Sequence, residues 1–397
     1  MRLVCYNNSI FTLRNRVVGL KFLFASDSFK GSLSSEQTSM LLEKAAFEVF
    51  GDCDCSSVAV ADGGEGTVDA VVRAENGKIV TAEVHDPLMN RINAAYGVFD
   101  GSKAVIEMAA ASGLPLVPKQ LRNPLNTTTF GTGELILHAL NNGYSDISVA
   151  IGGSATNDGG MGCMRALGVK FLDSRGHELQ GYGSELEKVA RIDVSGIDKR
   201  LSESKITVMC DVKNPLCGEN GAAYNFAAQK GATEDIIKQL ETGMVNFRDI
   251  IKREFGIDCD KVEGAGAAGG LGAALKVFCG GEMKSGIETV LDLIHFESRL
   301  DGVDLVVTGE GQTDWQSCFG KVMSGVGIRA KAKGVPVVGL CGSLGRGAMD
   351  IFDFGINSLM TTVNAPMTLE YAINNAEQLY FEAAVRMFRL IKLGMQI

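Results

Sequence analysis

A short apolar run, a glycine-rich polar turn and then a helix recur along this chain, and that recurrence constrains the fold more than any other feature. Strand-like runs alternating with helix-period runs predict a largely parallel sheet flanked by helices, an α/β architecture. Strands are expected over 20–26, 57–61, 104–108, 147–151, 206–211, 304–308, 335–340 and 356–362. Helices are expected from the Ser34 cap to about residue 50 and over 133–142, 234–254, 268–278, 321–333 and 372–393. Ser34 followed three residues on by Gln37 has the form of a capping box. The chain carries 49 glycines against 7 prolines without low complexity, which marks tight loops where backbone approaches something closely.

At 397 residues two domains are the natural expectation. From His85-Asp86-Pro87 to about His295 the segments are longer and less regular than the βαβ rhythm of the last hundred residues. The expected organisation is an N-terminal extension over 1–18, a discontinuous domain over 19–86 and 296–397, and an inserted α/β domain over 87–295. The discontinuous domain reads as a doubly wound sheet of Rossmann or flavodoxin-like type, with the active site expected in the cleft between the two domains. Arg2, Arg14 and Arg16 surround a short mixed segment with no small-residue cleavage site after it, so 1–18 reads as an extension and not as a targeting peptide.

The net charge of −9 argues against nucleic acid as the main partner, because a phosphate backbone needs a basic face. No apolar stretch reaches membrane-spanning length, so no membrane partner is expected. The ten cysteines are scattered, and the C-x-C pair Cys53 and Cys55 lacks zinc-site spacing. Reduced cysteines in a cytoplasmic protein are the expectation.

Ligands of open α/β sheets bind beyond the carboxyl ends of the strands, so the chemistry belongs in the turns that follow them. After the first strand, Asp27, Ser28, Lys30 and Ser32 offer a carboxylate, hydroxyls and an ammonium just before a helix N-terminus, a setting that favours an anion. The turn Asp62-Gly63-Gly64-Glu65-Gly66 flanks glycines with acids, which suits hydrated Mg²⁺ better than direct phosphate contact. Gly152, Gly153, Ser154, Asn157 and Asp158 form the strongest turn: its N–H groups can wrap phosphate while Asp158 points a carboxylate at a metal or a reacting hydroxyl. Glu310 and Asp314 occupy a turn of the same design, with Lys321 opening the next helix. Asp211 follows another strand, and Lys230 lies downstream as a candidate phosphate contact. Gly264 to Gly269 matches G-x-G-x-x-G literally but lacks a clear preceding strand, which supports dinucleotide binding poorly. No P-loop, hydrolase elbow or His cluster occurs. Anion turns, carboxylates and lysines without a thiol or His cluster suit phosphoryl transfer, where positioning and charge neutralisation do most of the work.

At these turns the chain resembles the bacterial glycerate kinase family, the type sometimes called glycerate kinase I. The matching stretches are 27–33, 60–67, 123–134, 152–160, 211–216, 229–232, 264–272 and 308–311, with Asp314, Gln316, Gly320 and Lys321 beyond, in order over roughly 20–390. The resemblance implies ATP-dependent phosphorylation of D-glycerate to 2- or 3-phosphoglycerate with Mg²⁺, on two α/β domains. Carried onto this sequence, Asp27, Ser28, Lys30 and Asn157 are expected to hold glycerate. Asp158, or failing that Asp211, is the expected base. Asp62 and Glu310, with Glu65 and Asp314 beside them, are expected around the metal. Gly152, Gly153, Ser154, Lys230 and Lys321 are expected on the ATP phosphates. Asp86-Pro87-Leu88-Met89 departs from the family's more usual Gly-Pro-Leu-Gly, and Gln312 stands where Arg or Lys is common. A kinase for another small hydroxy acid and a non-catalytic sensor are the alternatives, and the oligomeric state, a homodimer among the candidates, stays open.

Overall fold

The computed structural model describes residues 19–396, so the expected extension over 1–18 lies outside the described residues. The principal elements run β1 (Leu20–Phe24), α1 (Ser35–Phe50), β2 (Cys53–Ser57), α2 (Thr67–Ala74), β3 (Lys78–His85), β4 (Arg91–Phe99), β5 (Lys103–Glu107), α3 (Phe130–Asn141), β6 (Asp146–Ala150) and α4 (Met161–Ala166). They continue with β7 (Lys205–Met209), α5 (Glu234–Phe255), α6 (Leu271–Cys279), β8 (Glu282–Lys284), α7 (Gly286–Leu293), β9 (Leu305–Thr308), α8 (Val322–Ala332), β10 (Val337–Cys341), β11 (Ser358–Thr361) and α9 (Ala376–Gly394). The fold is α/β, as the alternation of runs predicts. The chain divides into two compact units: one takes the chain up to Val58 with Glu297–Cys318 and Val326–Ile397, the other Ala59–Phe296 with Phe319–Gly325.

The first unit is built on five parallel strands in the order β11-β10-β9-β1-β2. Counted within the unit this is the flavodoxin-like order 2-1-3-4-5, whose switch point falls between β1 and β9. Central β1 is buried along nearly its whole length, and Phe22 packs 5.3 Å, ring centre to centre, from both Phe50 of α1 and Phe388 of α9. Ser34 does form the capping box with Gln37. The strand expected over 57–61 stands instead at Cys53–Ser57, paired with β1 from Leu20↔Cys53 to Phe24↔Ser57. An edge strand is defined by its ladder and not by burial, so the polar run Cys-Asp-Cys-Ser-Ser pairs while apolar Val58–Ala61 runs on as connection.

The second unit holds a six-stranded mixed sheet, order β8-β7-β6-β5-β4-β3. Strands β5 to β8 run parallel; β3, β4 and β5 are antiparallel neighbours. The expected boundary near His85-Asp86-Pro87 is a hairpin turn inside this unit. The Asp86 carboxylate accepts from the N–H groups of Leu88 and Asn90 at 2.8 and 2.9 Å and from the Asn90 amide at 2.9 Å. Residues 59–86 therefore pack with the second unit, because β3 needs β4 as its ladder partner. Met89 holds the left-handed bend of this turn at φ 65°. Beneath the sheet Tyr96 is fully buried and its hydroxyl meets His138 Nδ1 at 3.0 Å, which gives that lone histidine a structural partner.

Candidate active site

In the second unit the carboxyl ends of β6 and β7 open onto a cavity of about 380 Å³. Its wall includes Asp62, Gly152, Gly153, Ser154, Asp211 and Lys230, so six residues singled out from widely separated turns share one hollow. Gly63, Gly64, Cys210, Gln229, Ala267 and Ala268 complete much of the surround.

Asp211 follows β7 directly and is held by the N-terminus of α7. Its Oδ1 accepts from Ser285 Oγ at 2.8 Å and from the Gly286 N–H at 3.0 Å. The Gly320 backbone lies against the same carboxylate, which brings the segment that carries Lys321 to this end of the unit. Although Asp211 opens to solvent, protein walls strip much of its hydration; that loss, with the nearby Asp62 charge adding, pushes its pKa up to about 6 against the two hydrogen bonds. Asp62 caps its own turn, accepting from the Gly64 N–H at 3.2 Å. The approach of α7 to that turn demands glycine: a Cβ on Gly286 would stand 2.1 Å from the Asp62 carbonyl oxygen.

Asp158, expected as the base, is fully buried and absent from the cavity wall. Its Oδ2 accepts from Thr129 N–H at 2.7 Å, Thr129 Oγ1 at 2.8 Å and Gly162 N–H at 3.2 Å, and its Oδ1 accepts from Gly160 N–H at 3.0 Å. Burial raises its pKa against those bonds. A carboxylate occupied by donors from Thr129 and from its own turn anchors the 152–160 segment and does not face the cavity. Asn157, expected to hold glycerate, is likewise fully buried, and neither atom of its amide finds a protein partner. Gly269 presses on this stretch, since a Cβ there would meet Thr156 O at 2.1 Å and Asn157 Oδ1 at 2.6 Å. Lys230 lines the cavity yet is only 2 % exposed, and its Nζ donates to Thr156 O at 2.6 Å.

Of the residues expected around a metal, only Asp62 faces this cavity. Glu65 is exposed and outside its wall, and Asp314 belongs to the first unit, where its Oδ1 accepts from the Gln316 N–H at 2.8 Å. Among the described residues no three His, Cys, Asp or Glu side chains group as a metal cage. The Asp62 carboxylate on the cavity wall fits a hydrated Mg²⁺, which takes one or two carboxylates and completes its shell with water and phosphate oxygens.

The first unit gathers the other expected residues at its own switch point. The Asp27 N–H donates to Gly309 O at 2.9 Å, and the Gly342 N–H donates to the carbonyl of Glu310 at 3.0 Å. The turns after β1, β9 and β10 thus lie side by side. Asp27 Oδ1 accepts from the Ser28 N–H at 2.6 Å, Lys30 is exposed, and the Glu310 side chain is 6 % exposed.

Residues 22–392 match the model of the glycerate kinase family. The chain belongs to that family. It is 44 % identical to the glycerate 2-kinase of Escherichia coli K12 over 95 % of this chain and 99 % of that one. It is 45 % identical to the glycerate kinase of Bacillus subtilis 168, covering 92 % and 96 %. A crystal structure from Salmonella typhimurium LT2, assigned there as glycerate kinase 2, superposes with a TM-score of 0.86 at 45 % identity, covering 96 % of this chain and all of the other. A glycerate-kinase family member of this coverage is an enzyme, a phosphotransferase with an alcohol group as acceptor and ATP as co-substrate. Ala267 and Ala268, within the 264–272 stretch, wall the cavity, and a 3-10 turn over Cys259–Lys261 rather than a strand stands just before them.

Proposed function

We propose that the protein transfers the γ-phosphoryl group of Mg-ATP to D-glycerate, with Asp211 as the general base. The observation that carries this reading is the convergence of Asp62, Asp211, the Gly152–Ser154 turn and Lys230 on one cavity. A base works best when its pKa lies near the working pH, and Asp211 at about 6 is ionised yet proton-accepting at neutrality. Ser285 and Gly286 fix its Oδ1, leaving Oδ2 for the substrate hydroxyl. The backbone N–H groups of 152–154 and the ammonium of Lys321 offset phosphate charge. Asp62 holds Mg²⁺ beside Asp211; when bound, the ion supplies charge neutralisation for the triphosphate. Within the first unit Asp27, Ser28 and Lys30, with Glu310 near them at the switch point, form an anion-binding turn of their own. The E. coli relative's designation as a 2-kinase supports the C2 hydroxyl as acceptor, and the free thiols among the described residues support a cytoplasmic setting.

Phosphorus NMR of the product formed from D-glycerate and Mg-ATP, alongside ADP release, tests this. A 2-phosphoglycerate signal is expected. A 3-phosphoglycerate signal would move the acceptor to C3, turnover only with tartronate or L-glycerate would replace the substrate, and binding without turnover would replace catalysis with sensing.

A further inference from the structure

A lysine ammonium with 2 % of its surface exposed is costly unless something nearby compensates it. For Lys230 the compensation comes from within the protein. Its Nζ donates to the Thr156 carbonyl at 2.6 Å, a charge-assisted bond, and the buried Asp158 carboxylate two residues further on favours the charged form. Burial still outweighs that help and lowers the lysine to about 7. The turn it grips is tied down on its other side as well, since Asp158 collects N–H and hydroxyl donors from Thr129, Gly160 and Gly162. Gly269 closes the stretch from a third direction. Within this stretch the Thr156 hydroxyl and both ends of the Asn157 amide have no protein partner, so side-chain bonds from those two residues do not fix its shape.

We propose that Lys230 is a positioning residue: its buried ammonium clamps the 152–158 turn through the Thr156 carbonyl and sets the shape in which that turn meets ATP phosphate, without touching phosphate itself. The catalytic meaning of the clamp rests on the reading of 152–154 as the phosphate turn. The clamp itself is a property of the ligand-free protein and can be read without substrate.

Amide hydrogen exchange on ligand-free Lys230→Met provides that reading. Loss of one charge-assisted bond should accelerate exchange within 152–158 by about 10- to 100-fold, with exchange elsewhere unchanged. In steady state the same variant should show a larger rise in KM for ATP than fall in kcat. Unchanged exchange with a raised KM for ATP would make Lys230 a direct phosphate contact and overturn the proposal. Faster exchange with an unchanged KM for ATP would remove the phosphate reading beneath it, and the positioning role with it. Should Lys230→Met not fold, amine-directed labelling of the unaltered enzyme decides: Lys230 should label slowly with and without Mg-ATP. Ready labelling that nucleotide suppresses would show an ammonium free to meet phosphate, and the clamp would be wrong.

Discussion

Gly286 lies so close to Asp62 that a methyl group on its Cα would stand 2.1 Å from the Asp62 carbonyl oxygen. Because that oxygen belongs to backbone, no rotamer change can relieve the clash. Gly286→Ala should therefore push the Asp62 turn away from α7 and from Asp211, at a cost of about 1–3 kcal/mol. Urea unfolding should register the loss of stability, and KM for Mg-ATP should rise. A variant with native stability and kinetics would show that the two segments tolerate separation.

Asp211→Asn keeps the acceptor that Ser285 and Gly286 use and removes the base. Turnover should fall by about 10²- to 10⁴-fold. In the parent enzyme kcat/KM should fall as pH drops through about 6, where Asp211 takes up its proton, and this limb should vanish in the variant. Stability should move the other way. The folded-state pKa is raised, so ionised Asp211 weakens the fold as pH rises through about 6. The uncharged variant should then melt no lower than the parent at pH 8, which separates a lost base from a damaged fold.

Asp158 should behave in the opposite manner. Asp158→Ala strips the 152–160 turn of its anchor and leaves the buried Lys230 ammonium without its neighbouring charge, at a cost of about 3–5 kcal/mol. Asp158→Asn should be milder, and its turnover per folded molecule should stay within about tenfold of the parent, far above that of a variant lacking its base. Folded fraction by circular dichroism, measured with kcat, checks both. A stable Asp158→Asn protein with turnover as low as Asp211→Asn would return the base to Asp158.

Met89 sits at φ 65° in the turn between β3 and β4. Left-handed backbone strains a side chain with a Cβ, so Met89→Gly should relieve up to about 1 kcal/mol. A small rise in melting temperature with unchanged kinetics is expected; a fall would mean that the methionine side chain packs in a way that outweighs the strain.

The turns were legible in the sequence because phosphate chemistry demands glycine, hydroxyls and acids together, and those types stand out at strand ends. What their side chains face was not legible. Asp158 and Asp211 each follow a buried strand in a polar context, yet one carboxylate turns inward onto buried donors and the other opens to the cavity. That difference is decided by Thr129, some thirty places earlier, and by Ser285, far later, at separations no local pattern records. The hairpin of β3 and β4 was hidden for another reason: Asp86 and Pro87 signal a turn, and a turn between paired strands carries the same residues as a linker between domains. The strand at 53–57 was misplaced because its pairing with β1 does not require apolar residues.

The sheet of the first unit also imposes an order of assembly on the growing polypeptide. Strand β1 pairs on one side with β2, made almost at once, and on the other with β9, which begins only at Leu305. Synthesis at about 5–20 residues per second leaves that second flank of β1 waiting on the order of tens of seconds, and Phe388, which covers Phe22, emerges later still. Throughout that interval the nascent chain carries an aromatic, unpaired strand edge, so this enzyme's yield in a cell should depend on holding chaperones more than its finished stability would suggest.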